Sequence, residues 1–342
     1  MRAAPSRGAL AAALALCALG CPQVEGDGGA PPAAAAPVAS RSVGGIPLRP
    51  DMIPREASGP APAALAGPVR RVWTGLRYPR ALARSPEGAL YAIDKSGWLR
   101  SYAADGRPLR ETRLPEIELG TPSAMAWHPA GKLLVADSHY GRVLVYSAGL
   151  ELEAAWGHLG HEAGGFLLVT GIAASADGRV FVSDQGDDVA RIQVFGLEGR
   201  LQYAIGRWGS AQGELKRPMN LSVRGQELAV ADSLNHRVQV FHLDGAPLRV
   251  LGGLGESLGE LKYPYGVSWD GEGRLWVADF GNHRLQLLDR HGRCLRYFQG
   301  KGRAVGGLGY PWTVLWGGGR LFTTDGAYDR CYELRPEALP SP

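Results

Sequence analysis

Charge of one sign is what this sequence most lacks. Its 37 basic and 33 acidic residues are interspersed along 342 positions for a net charge of +4, with no long run of either kind. Charge therefore gives no support to a nucleic-acid partner. No apolar run has bilayer length: the longest, residues 8–19, is 12 residues and too short for a stable membrane anchor. Glycine has no Gly-X-Y period, which excludes collagen. A Gly-x-Ser-x-Gly elbow, a Walker loop and a dinucleotide fingerprint are also missing. What is abundant is Gly and Pro, 49 and 24 residues, together 21% of the chain beside 45% hydrophobic residues. That combination builds a sizeable core interrupted by many turns, so it points to an all-β chain. Length alone suggests two or three domains, although one large β architecture also fits.

The first 20 residues read as a removable signal, with Arg2 and Arg7 ahead of the apolar stretch. Ala18-Leu19-Gly20-Cys21 resembles the lipobox of bacterial lipoproteins, in which the sulfur of the Cys carries diacylglycerol. Here Ala18 stands where that pattern usually has Leu, and Leu19 where it has a small residue. The resemblance implies an exported protein held in the bacterial envelope through Cys21. Pro22, in place of Asp, favours the outer membrane over the inner. Residues 21–68 are rich in Pro, Ala and Gly without hydrophobic periodicity, which predicts a disordered tether behind the lipidated Cys. A folded region of 69–336 and a short tail, 337–342, complete the expected organisation.

A unit of about 47 residues recurs. Six apolar strands end in Asp94, Asp137, Asp184, Asp232, Asp279 and Asp325, spaced by 43, 47, 48, 47 and 46 residues. Each Asp is followed by a short polar loop and an Arg: Arg100, Arg142, Arg191, Arg237, Arg284 and Arg330. A Pro announces the preceding strand in five of the six units: Pro79, Pro122, Pro218, Pro264 and Pro311. Each unit thus holds four short strands, and four antiparallel strands repeated around an axis make β-propeller blades. The last unit ends after its third strand, near Arg335. Residues 69–74 match the fourth strands elsewhere, so the N-terminal end of the domain is expected to complete the sixth blade.

The segments Asp232-Ser-Leu-Asn-His-Arg-Val-Gln-Val-Phe241 and Asp279-Phe-Gly-Asn-His-Arg-Leu-Gln-Leu-Leu288 resemble the NHL repeat. Gly-rich connections such as residues 208–218 are similar to those between blades of that family. The resemblance covers about residues 69–336, is closest in the fourth and fifth units, and implies a six-bladed propeller. The first, third and sixth units lack the Asn-His pair.

Residues that repeat in all six copies serve the blade, and a site for an asymmetric partner must break the pattern. The repeated Asp and Arg residues are therefore read as structural. The positions after the Pro landmark line one mouth of the central channel and do vary: Arg80, Ser123, Thr170, Met219, Tyr265 and Trp312. The next positions are Ala81, Ala124, Gly171, Asn220, Gly266 and Thr313. Rim loops add Trp98, His139, Tyr140, His236, Phe280, His283 and Tyr328. An aromatic half with one Arg suits a peptide, a protein loop or a glycan, and points to a monomeric envelope binding or scaffold module. The other reading is that Tyr265 and Trp312 plug the channel.

Six-bladed relatives include amidoglycolate lyases with His around a metal and gluconolactonase-like hydrolases with acidic residues around calcium. A periplasmic hydrolase or lyase is thus the alternative function. Both chemistries need ligands converging in the channel. The twelve mouth positions contain no Asp, Glu or His, and Asn220 alone could serve as a ligand. No catalytic residue or cofactor is assigned. Asp184, Asp187 and Asp188 form a weak calcium candidate, and His158 with His161 a weaker metal pair. Beyond Cys17 and Cys21, Cys294 and Cys331 remain, as a disulfide or as two buried thiols.

Overall fold

The computed structural model describes residues 42–43, 46–47, 49–57, 63–65, 67–300 and 302–342. The expected signal, Cys21 and the start of the tether lie outside the described residues.

Six antiparallel blade sheets follow one another along the chain, four of them with four strands in sequence order, while the first and last each take strands from the N-terminal segment; Ser42–Val43 and Ile46–Pro47 form a separate two-stranded sheet. Blade 1 opens on Pro79–Arg84, blade 2 on Pro122–His128, blade 3 on Val169–Ala174, blade 4 on Pro218–Arg224, blade 5 on Pro264–Trp269 and blade 6 on Pro311–Gly317. Each of these first strands packs beside the first strands of two neighbouring blades, and blade 6 returns to blade 1. The chain is a closed six-bladed β-propeller. Its core lies in apolar clusters sandwiched between adjacent blades. One such cluster, including Val238, Leu251, Tyr265 and Val277, fills the blade 4–5 boundary.

The Asp–Arg repeat explains the shape of each blade corner. Asp232 Oδ2 accepts from Arg237 Nε at 2.7 Å, while Oδ1 accepts the backbone N–H of Lys216 at 2.7 Å from the incoming linker. The same Arg donates to the linker carbonyls of Ala211 and Glu214. Gln239 then receives the N–H of Gly213 and donates to the carbonyl of Glu214. Blade 5 repeats this with Asp279, Arg284, Lys262 and Gln286. These buried side chains thus satisfy the backbone of a Gly-rich connection that has no sheet of its own. Asp184 belongs to this set: it accepts from the N–H groups of Leu167 and Leu168 and from Arg191.

Ring closure follows the expected route. Val69–Trp73 pairs antiparallel with Arg330–Leu334 and supplies the fourth strand of blade 6. Trp73 Nε1 donates to the carbonyl of Gly106, which ties this strand to blade 1.

The expected tether needs correction at the described residues from Ser42 onward. Arg55–Glu56 pairs with Pro108–Arg113 as a fifth strand of blade 1, and Ala63–Ala64 adds a fifth strand to blade 6. Ile46 and Met52 are buried in the blade 1–2 core. Thr112 Oγ1 donates to the carbonyl of Met52 at 2.7 Å. The physical reason is edge protection: the outer strands of blades 1 and 6 present unpaired backbone groups that this segment satisfies. At the other terminus, Leu339 is buried beside blade 5, whose Tyr297 N–H donates to the carbonyl of Pro340.

Candidate functional site

In every blade, the residue at the start of the first strand pairs with the repeated Asp, and a bulge follows immediately. Pro79 faces Asp94, Pro122 faces Asp137, Val169 faces Asp184, and Pro264 faces Asp279, each with a register shift over the next position. In blades 4 and 6 the shift spans two residues, Met219–Asn220 and Trp312–Thr313. A bulge leaves a residue outside the ladder and re-aims its side chain. The mouth positions are therefore set by a shared backbone irregularity, and the side chain at each decides what it does.

On blades 5, 6 and 1 these side chains form one contiguous aromatic surface. Tyr265 stacks on Phe280 with ring centroids 4.2 Å apart, and Phe280 stacks on Tyr310 at 5.2 Å. Trp312 meets Tyr265 edge-on at 4.8 Å and Tyr78 at 6.2 Å. The Arg80 guanidinium lies 3.9 Å from the Trp312 ring centre and 4.6 Å from that of Tyr78. Arg217 lies 5.4 Å from the ring centre of Tyr265. Arg80, Phe280, Tyr310 and Trp312 are half-buried, whereas Tyr265 is buried beneath them. Offset and edge-on rings with cations over their faces hold one another in place at small entropic cost.

On blades 2, 3 and 4 the expected site residues do other work. Ser123 Oγ donates to the carbonyl of Val169, and Thr170 Oγ1 donates to the carbonyl of Pro218. Both are fasteners between neighbouring blades. Met219 is buried in the blade 4–5 core. Asn220 Nδ2 donates across the channel to Thr313 Oγ1 at 3.2 Å, from blade 4 to blade 6. Gly266 on the intervening blade permits this: a Cβ there would stand 2.8 Å from the N of Val314 and 2.9 Å from the Cα of Thr313.

The rim residues divide similarly. Phe280 joins the patch. Trp98 faces the circumference, where Arg55, Arg100 and Arg113 surround its ring. Tyr140 donates to Glu118 and lies under Arg142, and Tyr328 lies under Arg330. His236 Nδ1 accepts the N–H of Tyr263 in the next blade, and His283 Nδ1 bonds the carbonyl of Gly309. Asp329, at the corresponding position of blade 6, accepts the N–H of Tyr78. These three are inter-blade clasps. His139 sits on the blade 2 side, and burial together with the charge of Arg80 lowers its pKa.

Tyr78, Tyr310 and Arg217 were not among the expected site residues. All three directly precede the strand start, and that position is the signal that finds them. Tyr78 and Arg217 have left-handed backbone, φ 50° and 53°, which turns the chain sharply before the Pro.

The common register places the mouth residues without a slip, so the twelve positions do lack Asp, Glu and His. Among the described residues no three His, Cys, Asp or Glu side chains converge as a metal-binding group would require. The acidic loop does not gather: Asp184 turns inward to its blade corner, while Asp187 and Asp188 are exposed. His158 bonds Glu162 on an exposed linker. The disulfide reading is also corrected, since Cys294 and Cys331 are both free thiols. Cys294 packs at the blade 4–5 boundary and Cys331 at the blade 6–1 boundary, so the two side chains serve different cores.

No family model matches the sequence, and no curated protein does. Solved structures do. A gluconolactonase from Xanthomonas campestris is similar with a TM-score of 0.60 and 17% identity, covering 84% of this chain and all (100%) of that one. Virginiamycin B lyase from Staphylococcus aureus gives a TM-score of 0.51 and 12% identity over 72% of this chain and 77% of that one. A chain of a nidogen/laminin complex gives 0.51 and 20% over 64% and 79%. Both enzymes and a protein assembly thus share this architecture, and at these identities the likeness shows the six-bladed propeller fold alone.

Proposed function

We propose that this propeller is a binding or scaffold module that recognises a protein, peptide or glycan through its aromatic mouth. One observation carries the reading: Arg80 lies between Trp312 and Tyr78 on a half-exposed surface that also holds Phe280 and Tyr310, where the sixfold pattern is broken. Rigid aromatic rings with a cation offer apolar area and orientation to an amphipathic partner at little ordering cost. Kinship with the NHL repeat, export, and attachment to the bacterial envelope through lipid on Cys21 belong to the same proposal. They rest on the motif residues and on the first 21 residues of the sequence.

The test is capture from envelope extracts with the full chain, in parallel with a Tyr265→Ala/Trp312→Ala variant, together with a glycan array. Partners retained by the native chain and lost by the variant support the proposal. A partner that binds both equally removes the mouth from it. Turnover of a lactone or other small substrate, abolished by Arg80→Ala, favours the hydrolase or lyase alternative instead.

A further inference from the structure

The opposite end of the channel, away from the mouth, holds a cavity of about 210 Å³. It exists because the ends of the first strands are unequal. Blades 2, 5 and 6 place Trp127, Trp269 and Trp316 there, and blade 1 places Arg84, whereas blade 3 has Ala174 and blade 4 has Val223. The small residues leave room that their bulky counterparts would fill. Above it, Asn220 and Thr313 bridge the channel and separate this space from the aromatic mouth.

The chemistry of the lining is one-sided. Arg84 is its one charged residue. The Arg84 Nε is buried with no hydrogen-bond partner among the described residues; burial and the neighbouring Arg320 act against its charge and outweigh Glu333, which favours it. Arg70, Arg71 and Arg320 share the single buried carboxylate of Glu333, at 3.5, 2.8 and 3.7 Å, so this region has excess positive charge. Ser222 Oγ accepts the N–H of Trp269 and Ser268 Oγ accepts that of Trp316, which leaves both hydroxyl protons available as donors. Leu221, Val267 and Val314 make the inner wall apolar. A buried donor without an acceptor is costly, and a carboxylate matches a guanidinium in shape and charge.

The geometry points to a second binding site at this end, for a small carboxylic acid with a single ring: ring against the apolar wall and tryptophans, carboxylate toward Arg84. The space exceeds the roughly 150 Å³ that holds one benzene ring in a protein interior. The site is independent of the mouth.

Calorimetric titration of the full chain with benzoate, and with benzyl alcohol as the neutral counterpart, tests it. Benzoate binds saturably at one site per chain and more tightly than the alcohol. Arg84→Gln weakens benzoate by about tenfold or more and leaves the alcohol unchanged. Ala174→Trp fills the cavity and abolishes both. Three other blades already carry Trp at this position, so the fold accepts that change, and it decides the matter should Arg84→Gln fail to melt like the parent. The Tyr265→Ala/Trp312→Ala variant binds benzoate as the parent does. Absence of saturable benzoate binding, or binding that survives Ala174→Trp, overturns the proposal.

Discussion

A single carboxylate shows how unequal six equivalent residues become. Asp232 and Asp279 accept a linker N–H, an Asn side chain, the Arg and a Gln. Asp137, equally buried, accepts from Arg142 at 2.7 Å, and its blade has Leu144 where blades 3, 4 and 5 have Gln193, Gln239 and Gln286. With fewer donors to stabilise the anion, burial pushes the Asp137 carboxyl up to about 6. A folded-state value above the unfolded one means the folded state binds the proton more tightly. The group's contribution to stability is thus fully present below about pH 4 and is lost as pH rises through about 6. His139 and His236 have the opposite sign: burial lowers both, so their contribution is lost as pH falls below about 6.5. Burial raises the Asp184, Asp279 and Asp325 carboxyls as well, so Asp137→Asn keeps their trend and that of the histidines in melting temperature between pH 4 and 7, and the native chain declines relative to the variant as pH rises. A carboxyl resonance for Asp137 that titrates at or below the ordinary carboxylate range removes this account.

Repeating elements were legible in the sequence because nearly every one carries several signals at once: a Pro, an alternating strand, an Asp and an Arg five to seven residues later. The mouth was legible by position for the same reason, which is how Arg80, Tyr265, Phe280 and Trp312 could be picked out. What each mouth side chain does was not legible, because Ser123 and Thr170 spend their hydroxyls on carbonyls of the next blade, a contact between residues 46 and 48 apart. The segment from Ser42 was the other loss. Its strands are two residues long, too short for any periodicity, and it takes its order from the blades it covers. Arg49-Pro50-Asp51-Met52 forms a short 3-10 turn begun by Pro50, which drives Met52 into the blade 1–2 core at 4% exposure. A free tether would tolerate Met52→Ala. The structure instead predicts a loss of about 2–5 kcal/mol in urea unfolding, the cost of truncating a buried side chain without collapse of the space. An unchanged midpoint would return this segment to the tether.

For the whole molecule, closure decides whether six marginal sheets behave as one body. Each blade buries its faces only against two neighbours, so stability is shared around the ring and an open boundary exposes two of them. That boundary lies between blades 6 and 1, and the strand Val69–Trp73 spans it. Its backbone pairs with Arg330–Leu334, Val69 is 4% exposed within the blade 5–6 core, and Trp73 is 5% exposed within the blade 6–1 core. Arg335 adds a second fastening through the carbonyls of Leu65, Gly67 and Val69. Removing everything before residue 76 thus deletes a sheet edge, two anchors and the carbonyl partners of Arg335 together. Truncating Trp73 alone costs about 3–5 kcal/mol, already a large part of the 5–15 kcal/mol by which domains are stable. The truncated chain is expected to lose its cooperative thermal transition, while a chain beginning at residue 58 keeps a single transition at a lower temperature. A truncation at 76 that melts like the parent would show that the ring holds without its returning strand.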